Sequence, residues 1–438
     1  MNYQETLTYL YTSAPLFQHV GKDAYKEGLD TTHKLDSYFG HPHRNFRTIH
    51  IAGTNGKGSC SHTLSAILQS AGYRVGLYTS PHLVDFRERI RVNGVCVPKE
   101  YVVGFVEKYR SFFEPLHPSF FELTTAMAFR YFADEKVDVA VVEVGLGGRL
   151  DCTNIISPDL SIITNISFDH MQFLGDTLAK IACEKAGIIK SETPVVIGES
   201  TRETRDVFLR KAEETHAPIS FAEEERLLEK AVLDVDGFYR YQTSDYGEVI
   251  GELGGIYQEK NTNTLLSALR HLRQMGYHLS EKDVKEGFAH VCQLSGLMGR
   301  WQTLSVYPKV VCDTGHNVGG IQYVVKQLLL QRYRRLHIVI GMVNDKDIDG
   351  VLSLFPLDAI YYFTQASVQR ALPSAILKEH ASVYGLQGDS YSSVKIAFEA
   401  ARSDAAADDF IFVGGSSFVV ADILKDVYCK EESDEREK

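Results

Sequence analysis

The stretch HIAGTNGKGSCS, His50 to Ser61, packs Gly53, Gly56 and Gly58 around a single lysine, Lys57. That combination suits an anion. Glycines let backbone N–H groups approach it, a lysine brings a mobile cation for β- and γ-phosphates, and the hydroxyl of Ser59 is a hard donor for Mg²⁺. The spacing departs from the common G-x-x-x-x-G-K-[ST], because Ile51 stands where the first glycine would be and Gly58 follows Lys57. A plain turn between a strand and a helix is the alternative. Further clusters hold side chains of the right kind. EVGLGGRLDCTN carries Glu143, either a Mg²⁺ ligand or a strand-end carboxylate in solvent. NISFDHMQFLG carries His170, a metal ligand or a structural histidine, and YTSPHLVDFRERI carries Ser80 and His82, or an ordinary Ser-Pro turn. CDTGHN sets out Asp313, His316 and Asn317, and GMVNDKD sets out Asp345, Lys346 and Asp347. Lys185 in CEKAGIIK reads as a surface lysine if its helix is considered alone.

The elements around these clusters decide between the readings. TIHIAG is a β-branched strand leading into the glycine loop, and Leu64, Ile67, Leu68 and Ala71 then recur at helical spacing. VDVAVVEVGLGG is a near-continuous valine run, as in a parallel strand buried on both faces, and DLSIITNIS is another strand before the helical TLAKIACEKAGIIK. Alternating strands and helices predict a doubly wound α/β sheet whose ligands sit beyond the carboxyl ends of the strands, where each polar cluster falls. A second series, KVVCDTGHN, RLHIVIGMVNDKD, AIYYFTQA and DFIFVGGSSFVVADIL, follows QLSGLMGRWQTL. The boundary is placed near residue 296, between Gly296 and Gly299, giving a larger domain over 1–295 and a smaller one over 296–438. Asp313 and Asp345 are expected in adjacent clusters at one sheet edge, facing a cleft. The tail KEESDEREK is expected to be a solvated, frayed end.

Composition sets outer bounds. A chain of 438 residues, 44% hydrophobic, can bury a substantial core in two or three domains. The net charge of −11 offers no broad basic field for nucleic acid, so an anionic ligand must be met by local donors. Seven cysteines without a CxxC pair argue against a disulfide framework or zinc ribbon and favour a reducing compartment. No basic start followed by an apolar core opens the chain, and no apolar run is long enough to span a bilayer, so a soluble cytoplasmic protein is expected.

Taken together, GTNGKGS, YTSPHL, RERIRVNG, FFELTT, EVGLGGRLDCTN, DHMQFLG, EKAGI, GRWQ and GHN resemble, in order, the folylpolyglutamate synthase and dihydrofolate synthase family of the Mur ligase superfamily. The resemblance runs from about Gly28 to Val413. It implies an N-terminal P-loop ATPase domain with a mostly parallel sheet and a smaller C-terminal Rossmann-like α/β domain. The implied chemistry is ATP-dependent. A carboxylate on a pterin-bearing substrate is phosphorylated, and the amine of L-glutamate attacks the acyl phosphate to give an amide, ADP and phosphate. Two developing anions must approach each other, which requires Mg²⁺ and backbone donors.

The resemblance also implies site residues. ATP would be held by Asn55, Gly56, Lys57, Gly58 and Ser59, and from the far side by Asn261, Arg300 and Asp313. The metal ligands would be Ser59, Ser80, Glu143 and His170. His316 would position the reacting phosphate or glutamate, and Lys185 would react with CO₂ to form a carbamate, which removes an ammonium from beside the metal. A monovalent cation is a further cofactor compatible with the family. Folate contacts would come from Leu29, Asp30, Phe121, Glu122, Leu150 and Asp151, an apolar and aromatic wall with carboxylates for ring nitrogens. The chain departs from many members in reading DTGHN for D-G-A-H-N and MGR for P-G-R. The partners implied are small molecules alone (pteroate or folate, L-glutamate and ATP), with no nucleic acid or membrane, and a monomer is expected. Two competitors remain. A peptidoglycan Mur ligase usually carries a UDP-binding domain before the P-loop, and only 52 residues precede Gly53 here. A non-catalytic nucleotide switch would have no use for Lys57, Glu143, His170 and Lys185 together.

Overall fold

The computed structural model describes residues 1–13, 28–234 and 236–436, with side chains to 426 in the last span. The chain divides into two compact units, one of residues Met1–Leu253 and Tyr257–Leu297, the other of Gly254–Ile256 and Met298–Lys438.

The first unit is built on eleven strands among its described residues: β1 (Arg47–Ala52), β2 (Val75–Tyr78), β3 (Ile90–Val92), β4 (Val95–Cys96), β5 (Val139–Glu143), β6 (Leu160–Ile163), β7 (Val195–Ile197), β8 (Ile219–Phe221), β9 (Leu228–Leu233), β10 (Tyr239–Thr243) and β11 (Gly247–Gly251). The first eight form one sheet in the order β4-β3-β2-β5-β1-β6-β7-β8. From β2 to β8 every pairing is parallel, and β3 and β4 add an antiparallel edge. The mostly parallel sheet expected from the valine runs is therefore present. Its strands are apolar on both faces because both are covered. Ile49, Ile51, Val139 and Val141 pack with Leu64, Ile67, Leu68, Leu265 and Leu269 from the helices Lys57–Ser70 and Gln258–Gln274. Ala140 and Val142 face Phe129 and Phe132 of the helix Phe120–Asp134. On that same face Ala52 and Ile163 pack with Ala182, Ala186 and Phe208.

A three-stranded antiparallel sheet, β11-β10-β9, had no counterpart in the expectations. Its inward residues Tyr239, Tyr241 and Val249 complete the core over the helix Gln258–Gln274.

The second unit holds β12 (Gln302–Val306), β13 (Lys309–Cys312), β14 (Leu336–Ile340), β15 (Ile360–Phe363), β16 (Gly388–Ser390) and β17 (Phe410–Gly414), in the order β12-β13-β17-β14-β15-β16. All pairings but β12 with β13 are parallel. One expectation needs correction. The Asp313 and Asp345 clusters share the carboxyl edge but are not adjacent, because β17, drawn from the end of the sequence, lies between β13 and β14. The tail expected to fray continues the helix Ser417–Arg436, and 437–438 lie outside the described residues.

Candidate active site

The glycine loop joins β1 to the helix Lys57–Ser70, the strand–loop–helix context that an anion site requires. Gly53 has φ +144° and Gly56 φ +86°, and each meets a close neighbour. A Cβ on Gly53 would lie 1.9 Å from Thr164 Oγ1, and one on Gly56 would lie 2.3 Å from Asn261 Oδ1. Only glycine fits either position. The loop is pinned from β6. Asn165 accepts from Asn55 N at 3.0 Å through Oδ1 and donates to Asn55 O at 3.1 Å, while Thr164 Oγ1 donates to the same carbonyl at 2.6 Å. Thr54 and Ser167 bond each other twice, at 3.0 and 3.2 Å. Lys57 is folded over the loop, its Nζ donating to the carbonyls of Gly53 and Thr54 at 3.1 Å each. Ser59 is 1% exposed, and its Oγ accepts from Gln258 Nε2 at 3.2 Å. Gln258 in turn accepts from Asn261 Nδ2 at 2.8 Å. Asn261 thus stands against Gly56 within the same unit as the loop. It does not come from the far side with Arg300 and Asp313, as the resemblance implied.

Neighbouring strand ends supply the rest. In the sheet order β2-β5-β1-β6, the ends carry Ser80, Glu143, the glycine loop and His170 in succession. Glu143 is buried at 4% exposure and accepts from Ser80 N at 3.1 Å. His170 caps the short helix Met171–Leu174 from a left-handed backbone (φ +49°), its Nε2 3.8 Å from Asp169 Oδ2. Among the described residues, no group of three or more His, Cys, Asp and Glu side chains is placed to hold a metal ion. Two hydroxyls, one carboxylate and one imidazole nonetheless suit a divalent ion that takes its other ligands from phosphate oxygens and water, which is how Mg²⁺ binds.

Lys185 is not the surface lysine that its helix Leu178–Ala186 suggests. It is 5% exposed, and its Nζ donates to Gly53 O at 2.8 Å, the same carbonyl that Lys57 holds. Burial first, and then the Lys57 charge, pulls its pKa down to about 7, against the opposing fields of Asp169 and Asp151.

The residues expected to hold a folate are drawn together. The helix Asp30–Tyr38 packs on the helix Phe120–Asp134 and on the turn Cys152–Ile155. Leu29 precedes the first of these and is half-buried, while Asp30 is exposed. Phe121 lies against Gly145 and stacks on Tyr78 at 5.7 Å. The carboxylates have local work that sequence reasoning missed. Glu122 closes a capping box with Ser119, accepting from Ser119 N at 2.7 Å, and reaches Thr32 Oγ1 at 3.4 Å. Asp151, next to half-buried Leu150, is 5% exposed and accepts from Leu146 N at 2.8 Å, Thr153 N at 3.0 Å and Thr153 Oγ1 at 2.5 Å. Its pKa is nonetheless raised, because burial outweighs those donors.

In the second unit Asp313 is 2% exposed. It accepts from Trp301 N and Gly315 N at 2.8 Å each, joining the turn before β12 to the one after β13. Arg300 donates to Thr314 Oγ1 and to Gly299 O, and His316 Nδ1 lies 3.0 Å from Thr314 O. Asn317 caps the helix Val318–Leu329 through Gly320 N at 2.8 Å. Asp313, Arg300 and His316 therefore form one group. Asp345 is paired with Arg370 at 2.9 Å and Asp347 caps the helix Ile348–Leu352, so that cluster is accounted for structurally. Signals for Asn165 and Gln258 were absent from the local sequence, since their partners lie about a hundred and two hundred residues away.

Comparison with known proteins bears on this geometry. Residues 51–250 match the family model described as Mur ligase middle domain, and residues 299–417 match the one described as Mur ligase, glutamate ligase domain. The dihydrofolate synthase/folylpolyglutamate synthase of Escherichia coli (strain K12) is 34% identical over 385 residues, covering 86% of this chain and 85% of that protein. A structure of E. coli FolC in complex with DHPP and ADP superposes with a TM-score of 0.84 at 31% identity, covering 98% and 99% of the two chains. A bifunctional folylpolyglutamate synthase/dihydrofolate synthase with Mn, AMPPNP and L-glutamate bound superposes with a TM-score of 0.80 at 28% identity, covering 98% of each. With its glycine loop, its strand-end ligands and these matches over most of its length, the chain belongs to the folylpolyglutamate synthase/dihydrofolate synthase family of Mur ligases.

Proposed function

We propose that the chain is an ATP-dependent carboxylate–amine ligase that adds L-glutamate to dihydropteroate and to reduced folates. The observation that carries this reading is the succession of Ser80, Glu143, glycine loop and His170 along one sheet edge, with Lys185 buried beneath the loop. Gly56, Gly58 and the positive end of the helix Lys57–Ser70 offer N–H groups to the phosphates, Asn55 borders them with its own N–H held by Asn165, and Lys57 leaves its carbonyls to meet them. Ser59, Ser80, Glu143 and His170 would hold Mg²⁺, which would supply the positive charge needed as the acceptor carboxylate attacks the γ-phosphorus. Asn261 borders the nucleotide, Arg300 adds a cation to it, and the group around Asp313 orients Arg300 and His316. The acyl phosphate formed is then opened by the amine of glutamate, whose departing proton passes to solvent or a neighbouring base, and phosphate leaves.

Lys185 becomes a carbamate by attack of its neutral amine on CO₂ with loss of one proton. The depressed pKa supplies that amine, and the product replaces a repelling ammonium with an oxygen ligand. Leu29, Asp30, Phe121, Glu122, Leu150 and Asp151 border the acceptor. Phe121 stacked on Tyr78 gives the flat ring a wall, and Glu122 Oε1, held outside the capping box by a long 3.4 Å bond from Thr32 Oγ1, turns to ring nitrogens. The enzyme works as a monomer, and in a reducing compartment, in keeping for the latter with six free cysteines among the described residues; no described helix is long and apolar enough to cross a membrane.

Both activities are tested by assaying dihydropteroate and a tetrahydrofolate separately as acceptors. Glutamylated product from each is expected. Product from the folate alone would reduce the protein to a folylpolyglutamate synthase, and product from a UDP-linked muramoyl acceptor would favour the peptidoglycan ligases.

A further inference from the structure

His50 lies in the middle of β1, where a strand covered on both faces calls for an aliphatic residue. It is wholly buried, three residues before Gly53. Its Nε2 is 2.9 Å from Thr153 Oγ1, and the Thr153 hydroxyl donates to Asp151 Oδ1 at 2.5 Å. Both Asp151 oxygens accept backbone N–H groups, as an ionised carboxylate does, and a carboxylate only accepts, so the hydroxyl proton is committed to Asp151 and the Thr153 oxygen accepts from His50. His50 is therefore the Nε2–H tautomer. Its other nitrogen, Nδ1, is buried with no hydrogen-bond partner. An aliphatic residue would leave no such orphan, so the histidine is retained at a cost to the core. Burial, reinforced by Lys190, holds its pKa down to about 3, which keeps the ring neutral throughout the working range.

We propose that His50 is a positioning residue for the acceptor pocket. Through Thr153 it fixes Asp151, and through Asp151 the loop Gly145–Asp151, against the strand that ends in the phosphate loop. Asp151 is the hub, since Leu146 N, Thr153 N and the Thr153 hydroxyl all donate to it. One strand thus sets the register of two substrates, the nucleotide directly and the pterin-bearing acid through the relay. The inference rests on the reading that Leu150 and Asp151 border the acceptor.

Substitutions along the relay test it. His50→Leu and Thr153→Val each remove one link. His50→Gln keeps an N–H the same number of bonds from the backbone, and Thr153→Ser keeps the hydroxyl. The first pair should raise KM for the folate acceptor roughly tenfold, the scale seen when hydrogen-bonded supports of site residues are removed. KM for ATP should stay within about twofold, and the double variant should be no worse than the poorer single one, because one relay is cut twice. Gln and Ser should restore most of the acceptor affinity. ¹⁵N-histidine NMR should show an unprotonated Nδ1 from pH 6 to 9. Equal rises in KM for ATP and acceptor, additive losses, or a protonated Nδ1 would overturn the proposal. Leu150→Ala separates the two ways of failing. If it leaves acceptor KM unchanged, the acceptor site lies elsewhere. If it raises KM while His50→Leu does not, the role given to His50 is wrong.

Discussion

Lys185→Met removes the buried ammonium and keeps most of the length of the side chain. Lys185 ordinarily titrates near 10.5 and is pulled down to about 7 in the fold. At pH 7 about half of the folded molecules then carry a neutral amine, against about one in 3,000 for an ordinary lysine, a gain of roughly a thousandfold in nucleophile. The same shift costs stability. Between about pH 7 and 10.5 the unfolded chain binds more protons than the folded one, so stability rises with pH across that window. It is lowest below pH 7, where both states are protonated. Converted at about 1.4 kcal/mol per pKa unit, the penalty below pH 7 is about 5 kcal/mol at most. Urea unfolding in CO₂-depleted, nucleotide-free buffer should find Lys185→Met more stable than wild type by about 2–5 kcal/mol at pH 6.5. The gap should narrow toward pH 10. The variant should nevertheless lose most activity. Lys185→Ala should do the same and be partly restored by short carboxylic acids, with labelled CO₂ giving a carbamate in wild type only. A stability gap that is flat or widens with rising pH, or full activity in Lys185→Ala without added acid, would refute the reasoning.

Three further changes probe other parts of the site. Gly56→Ala forces a left-handed alanine, at about 1–2 kcal/mol, and drives Asn261 from its place, so nucleotide affinity by calorimetry should fall while the circular dichroism spectrum is kept. Arg300→Ala should weaken ATP use by about 1.5–3 kcal/mol in kcat/KM with the melting temperature unchanged; an unaltered KM for ATP and turnover would remove Arg300 from the site. Glu122→Gln retains a capping-box residue and should leave thermal stability alone while raising acceptor KM, whereas Glu122→Ala should also lose about 0.5–2 kcal/mol of stability.

The glycine loop and its strand were legible because their signals are local: three glycines and a lysine between a β-branched run and a helical repeat. Glu143 and His170 were legible as strand ends, and their placement on either side of the loop follows from the sheet order. What escaped depends on order rather than composition. Asp313 and Asp345 were expected side by side because their strands are consecutive in sequence, and the insertion of β17 between them is set by pairing over about a hundred residues. Lys185 reads as a surface residue from its helix alone, because helical periodicity does not reveal what packs over a helix, and only the family resemblance put it in the site. Asn165 and Gln258 carry no motif of their own, and the structure alone joins them to Asn55 and Ser59. The antiparallel sheet was hidden in a charged stretch, although its alternation in YRYQT and the turn at Gly247 were readable.

The central claim, that the glycine loop and its neighbours activate a pteroyl carboxylate for attack by glutamate, is tested most directly by phosphate release from ATP measured with each substrate omitted in turn. Phosphate should be released in step with glutamylated product, requiring both a pteroate or folate acceptor and L-glutamate. Steady release with neither substrate present would contradict the account and favour a nucleotide switch.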